Sequence, residues 1–127
     1  MSVQLNHTIV AARDRQASAE FLAGLLELEV GPPFGPFIGV ETANGVTLDY
    51  LESAEPITSQ HYAFLVSEEE FDAIMGRIEA AGITYFADPF HRESGRINRN
   101  DGGRGAYFAD PNGHNMEIIT RPYGSGG

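Results

Sequence analysis

Residues 105–121, GAYFADPNGHNMEIITR, decide how the chain folds. Two apolar and aromatic runs, AYF and MEIIT, flank a DPNG turn whose residues suit a fixed proline φ and a positive φ. The pattern predicts a β-hairpin. Glu117 makes it more than one, because it is a carboxylate four residues past the turn glycine in a strand otherwise built from Met116, Ile118 and Ile119. A charge in such a strand needs a partner.

Working outward from the hairpin, the same order of elements is found twice. Residues 60–67 (QHYAFLVS) read as a strand with His61 near its start. Residues 67–82 (SEEEFDAIMGRIEAAG) read as a helix capped by Ser67, with Glu70 at the third position after it, Phe71, Ile74, Met75 and Ile78 inward, and Gly82 as the stop. Residues 83–90 (ITYFADPF) suit another strand, and residues 91–105 form a long polar loop before the hairpin. Upstream, residues 5–12 (LNHTIVAA) predict a strand holding His7. An amphipathic helix follows from Asp14, with Phe21, Leu22, Leu25 and Leu26 at helical spacing and Gly31 closing the segment. Residues 31–36 are a loop, residues 37–42 and 46–52 are strands joined at Asn44 and Gly45, and the second of them carries Asp49. Residues 53–59 (SAEPITS) read as a linker between module one, about 1–53, and module two, about 60–122.

Composition narrows the function classes. With 127 residues, 42% of them hydrophobic, the chain has room for one ordinary core, as one domain or two fused modules. No apolar run approaches the roughly 20 residues of a membrane span, and the start lacks the layout of a signal peptide, so the expectation is a cytoplasmic protein. The formal charge of −10, from eight Lys plus Arg against eighteen Asp plus Glu, argues against nucleic acid and anionic membranes. Zero cysteines exclude disulfides, thiolate ligands and a cysteine nucleophile, so any thiol chemistry must use a thiol brought by the substrate.

The repeat places a histidine first and an acid last in each copy. His7 and His61 precede the two helices, and Asn44-Gly45-x-x-x-Asp49 corresponds to Asn112-Gly113-x-x-x-Glu117. A pseudo-twofold relation of the modules would bring His7, Asp49, His61 and Glu117 toward one axis from four strands. One histidine in an apolar strand is ordinarily a hydrogen-bonded core residue, but the repeated set has the layout of a metal site. Imidazoles and carboxylates suit zinc, nickel, manganese, cobalt or iron. Strand alternation agrees, because Tyr62, Phe64 and Val66 oppose His61 and leave it facing a cavity.

LNHTIV, QHYAFLV and YFADPNGHNMEII together resemble the vicinal oxygen chelate superfamily, which contains glyoxalase I, fosfomycin-resistance proteins, extradiol dioxygenases and bleomycin-resistance proteins. The resemblance covers nearly the whole chain. It implies an α+β fold of two βαβββ modules forming a cupped mixed sheet around a divalent metal, usually as a homodimer. The family's ligand positions fall on His7, His61 and Glu117. Asp49 stands where glyoxalase-like members carry a fourth, glutamate ligand. The implied activity is that of a glyoxalase-type lyase or isomerase, or a fosfomycin-resistance-type thiol transferase, with Glu117 and Asp49 as catalytic carboxylates and a small oxygen-rich substrate, with a thiol as co-substrate in the transferase case. The alternatives are a metal-free, bleomycin-resistance-like protein that sequesters a cationic drug, and an extradiol-type dioxygenase. Tyr107 fits the aromatic position of the dioxygenase hairpin, but no histidine precedes it within residues 102–106. Arg92, Arg96, Arg99 and Arg104 make residues 91–104 the one locally basic stretch, and Tyr107 and Arg104 are the expected substrate contacts. His114, after the turn glycine, is expected at the solvent surface.

Overall fold

A computed structural model describes residues 2–126. The chain divides between Ile57 and Thr58 into two units of α and β structure.

The first unit runs β1 (His7–Ala12), α1 (Arg15–Leu26), β2 (Phe37–Glu41) and β3 (Thr47–Glu52). Its sheet has the order β1-β3-β2, with β1 parallel to β3 and β2 antiparallel to it. Asp14 caps α1 by accepting from the Ala17 amide at 2.9 Å. The helix ends earlier than Gly31, because Glu27 takes a left-handed conformation with φ 58°. Residues 28–36 meet β2 through the isolated bridges Val30↔Val40 and Phe34↔Phe37, with the Gly31 amide donating to the Gly39 carbonyl at 2.8 Å, and form no strand of their own, so this unit has three named strands. Alternation sorts its side chains. Val10, Ala12, Ile38, Val40, Leu48 and Tyr50 are buried, and α1 packs on β2 and β3. His7, Ile9, Thr47 and Asp49 occupy the opposite face, which is exposed or half-buried.

The second unit runs β4 (His61–Leu65), α2 (Glu68–Ala80), β5 (Tyr85–Phe86), β6 (Gly105–Ala109) and β7 (Asn115–Ile119), with a 3-10 turn at Asn100–Gly102. Its sheet has the order β4-β7-β6-β5, with β4 parallel to β7 and the other pairs antiparallel. Ser67 and Glu70 form a reciprocal capping box at the start of α2, and Phe71, Ile74, Met75 and Ile78 are its buried residues. The strand expected over residues 83–90 shortens to the two residues of β5. Residues 88–93 leave the ladder because the Asp88 carboxylate accepts from the Arg92 and Glu93 amides at 2.9 and 2.8 Å, which turns the chain back.

The hairpin forms as its sequence predicts. Asp110 Oδ1 accepts from the amides of Asn112 and His114, each at 2.8 Å, and closes the turn from inside. Gly113 sits at φ 85°, and a Cβ there would meet nothing within 4 Å, so backbone conformation rather than space calls for glycine.

Candidate metal centre

Register explains how His61 meets Glu117. His61 is paired with Asn115 and Ala63 with Glu117, so the histidine and the acid are diagonal neighbours on one face of two adjacent strands. His61 Nε2 lies 3.0 Å from Glu117 Oε1. The other ring nitrogen, Nδ1, lies 2.9 Å from the carbonyl oxygen of Asn115. A carbonyl oxygen only accepts, so Nδ1 carries the ring hydrogen. If Nε2 carries no hydrogen, its lone pair faces a carboxylate oxygen, and a cation, proton or metal, would join the two. Two ligands about 2.1 Å from one ion in adjacent octahedral positions stand about 3.0 Å apart, so the pair fits a metal.

Glu117 is fully buried, whereas the His61 side chain is 48% exposed, so the pair is open on the histidine side. Two phenols attend the carboxylate. Tyr123 donates to Glu117 Oε2, and the hydroxyls of Tyr107 and Tyr123 are 2.9 Å apart. The Tyr107 ring stacks beside His61 with centroids 5.9 Å apart. Burial first, then the hydrogen bonds to Tyr123 and Glu117, pushes the Tyr107 phenol well above its ordinary range. Burial and the bond to Glu117 likewise raise Tyr123. Both hydroxyls therefore remain donors at neutral pH. Tyr123, on the segment after β7, is a functional candidate that no sequence motif marks.

His7 and Asp49 share the open face of the first unit's sheet. His7 is paired with Thr47 and Ile9 with Asp49, the same diagonal relation that joins His61 to Glu117. His7 Nδ1 donates to Asn6 Oδ1 at 2.7 Å, and Nε2 takes no part in that bond. Asp49 lines a groove of about 780 Å³ together with Glu27, Glu29 and Glu41, a wall of carboxylates that favours cations. Among the described residues, no group of three or more His, Cys, Asp or Glu is gathered closely enough to hold a metal ion. The structure thus joins His61 to Glu117 within the second unit, and sets His7 and Asp49 on one face within the first.

Arg104 lies on the opposite face of the second unit's sheet from Tyr107 and Glu117. It precedes Gly105 in β6, so alternation puts it opposite Tyr107, on the side of α2. There its guanidinium bonds Glu68 at 2.7 Å and Asp72 at 2.9 Å and lies over the Phe71 ring, 4.5 Å from its centroid. These contacts give it a structural task. His114 departs from the expected surface position, since it is fully buried, accepts from the Gln60 amide at 3.1 Å and meets the Tyr62 ring edge-on. The inward-turned Asp110 carboxylate pulls the His114 amide toward the core side of the turn. His91, from the polar loop, stacks on Phe86 with centroids 4.2 Å apart and bonds Asn115 Oδ1 at 2.8 Å. It therefore braces the residue whose carbonyl fixes His61. Among the described residues, no helix is long and apolar enough to cross a membrane.

A fold of paired α+β modules with a histidine and an acid on adjacent parallel strands defines a class, and sequence comparison gives the same one. The chain is 32% identical over 126 aligned residues to the glutathione transferase FosA of Serratia marcescens, covering 93% of this chain and 81% of that protein. It belongs to the vicinal oxygen chelate superfamily. Among solved structures it is 72% identical to one described as oxidase ChaP-H2, with a TM-score of 0.98 and full coverage of both chains. A lactoylglutathione lyase from Agrobacterium tumefaciens, 18% identical with a TM-score of 0.68, covers 94% of this chain and 93% of its own, and shares the fold. No family model matches the chain.

Proposed function

We propose that the protein is a metal-dependent oxidase that binds a small oxygen-rich substrate through two neighbouring oxygens at a divalent ion held by His61, Glu117 and His7. The observation that carries the reading is the approach of His61 Nε2 to Glu117 Oε1 at 3.0 Å with Nδ1 already committed to a carbonyl. Two imidazoles and one carboxylate make a donor set suited to non-haem iron, with cobalt, nickel, manganese and zinc as the other ions of matching chemistry. A bound redox-active ion of this kind supplies Lewis acidity and a path for electrons to dioxygen. In this reading His7 is the third donor, and a homodimer would let a second copy of the chain provide it. Asp49, the fourth expected donor, adds negative charge to the first unit's open face.

The remaining steps fall to the chain's own groups. Glu117 balances the ion's charge, and the raised phenols of Tyr107 and Tyr123 stay protonated as donors beside it. The exposed flank of His61 leaves the substrate a way in. Likeness to oxidase ChaP-H2 at 72% identity favours oxidation over the lyase chemistry, and likeness to a glutathione transferase at 32% keeps thiol transfer as the second reading.

The test begins with metal analysis of protein purified without chelator or nickel resin. About one divalent ion per chain is expected, with sharp loss in His61→Ala and Glu117→Gln. Dioxygen uptake is then followed with catechols and vicinal hydroxyketones, beside thiol consumption with glutathione and an epoxide. Full metal content in both variants would overturn the site. Thiol consumption without dioxygen uptake would move the protein to the transferases, and tight binding of a cationic drug by metal-free protein would make it a sequestering protein.

A further inference from the structure

The segment after β7 folds back into a defined shape. Residues 122–125 fold into a turn, in which the Ser125 amide donates to the Pro122 carbonyl at 3.2 Å and the Arg121 guanidinium donates to the Ser125 carbonyl at 2.8 Å. The Gly124 amide donates to Asp101 Oδ1 at 3.0 Å, tying the turn to the 3-10 segment that precedes β6. A Cβ at Gly126 would collide with the Asp101 backbone, so the segment lies close against that residue. Its one aromatic side chain, Tyr123, is 58% exposed, yet its hydroxyl reaches Glu117, which is fully buried. An exposed ring whose polar end is spent on a buried carboxylate is a strap with a specific point of attachment.

We propose that Tyr123 is a positioning residue for Glu117: by donating to Oε2 from the strap, it leaves Oε1 as the single oxygen turned toward His61 and a bound ion. A carboxylate has two equivalent oxygens and can ligate through one or both. Tyr123 holds Oε2 of Glu117, and Oε1 faces His61 Nε2 at 3.0 Å. Tyr107, 2.9 Å from the Tyr123 hydroxyl, fixes the direction of that donor. Partners of this kind orient ligating carboxylates and tune the affinity of the ion they hold. The inference rests on Glu117 as a ligand for its metal consequence, and on Tyr123 and Glu117 alone for its structural one.

The experiment therefore has two readouts. Infrared difference spectra against Glu117→Gln assign the Glu117 carboxylate stretches in metal-free protein. Tyr123→Phe, and separately a chain ending at Arg121, should shift those stretches by the same amount while circular dichroism stays native. Titration with cobalt(II) or iron(II) should then show one ion per chain bound about 10- to 100-fold more weakly in both variants, with the carboxylate bands moving from one-oxygen toward two-oxygen ligation. Unchanged carboxylate bands in both variants, or affinity within twofold of the parent, would overturn the proposal. If the parent chain binds no ion at all, the metal reading of His61 and Glu117 falls, and the metal-free carboxylate bands still decide the role of Tyr123.

Discussion

Glu117→Gln separates the two cations that can sit between Glu117 and His61. In the metal-free protein, the new amide can donate to the His61 Nε2 lone pair that faces Oε1 at 3.0 Å, while its oxygen still accepts from Tyr123. Every polar atom then keeps a partner, so the variant should lie within about 1 kcal/mol of the parent in stability. The metal increment behaves differently. An ion at 100 times its dissociation constant adds about 2.7 kcal/mol to the parent, and a 100-fold weaker site leaves about 0.4 kcal/mol. For a chain of this length 1 kcal/mol corresponds to roughly 4 °C in Tm, so the ion should raise the parent by about 10 °C and the variant by about 1.5 °C. Differential scanning calorimetry after chelation, with and without one divalent ion, reads both quantities. An equal metal-induced rise in the two proteins would refute Glu117 as a ligand. A metal-free variant destabilised by several kcal/mol would refute the facing lone pair and show that a shared proton, held as an ion pair, occupies the gap.

Three further outcomes test the surrounding structure. Asp110→Ala removes the acceptor of two backbone amides in the hairpin turn and should cost about 2–4 kcal/mol in chemical denaturation, whereas Asp110→Asn, which keeps one carbonyl oxygen, should cost under about 1 kcal/mol. Arg104→Met should leave substrate KM unchanged and cost about 1 kcal/mol, because its carboxylate partners are largely exposed and the contact with Phe71 adds little more; a large rise in KM would return Arg104 to the substrate site. Glu68 is held below its ordinary value of 4.5 by a hydrogen bond from Thr120 and then by Arg104, and Glu70 by Ser67. A depressed carboxylate stabilises the fold above its unfolded value and loses that contribution as pH falls through the folded one. The stability of α2, followed by circular dichroism, should hold from neutrality to about pH 4.5 and decline below it, and a decline already complete at pH 6 would contradict these shifts.

What could be read from the residues depended on how local their cause was. The DPNG hairpin, the Ser67 capping box and the alternation that puts His61 opposite Tyr62 and Phe64 are set by neighbours within a few positions, and each appears as the sequence indicates. The repeat placed His61 and Glu117 in one candidate site although 56 residues separate them, but their direct contact comes from the parallel pairing of β4 with β7, which the sequence did not indicate. The limits of α1 and β5 were set by single residues that leave regular structure, Glu27 by its left-handed backbone and Asp88 by capturing the next amides. Neither residue type announces that behaviour.

The placements that a linear reading missed share one physical feature, which is that a polar group was assigned by its own chemistry rather than by its partner's. Arg104 carries a fork suited to anions and sits in the basic loop, yet one position of strand parity turns it to the α2 side, where Glu68 and Asp72 bind it. His114 follows a turn glycine and so looked solvated, while Asp110, four residues earlier, folds the turn so that its ring is enclosed against Tyr62. Tyr123 lies between a proline and a glycine in a short polar tail, and nothing near it in sequence points to the buried carboxylate six residues back that takes its hydrogen bond. In each case the deciding contact belongs to another element. Glu117 is the converse: a carboxylate in an apolar strand demands a partner, and the repeat offers His61, whereas the second partner on Oε2 has no comparable demand of its own to reveal it.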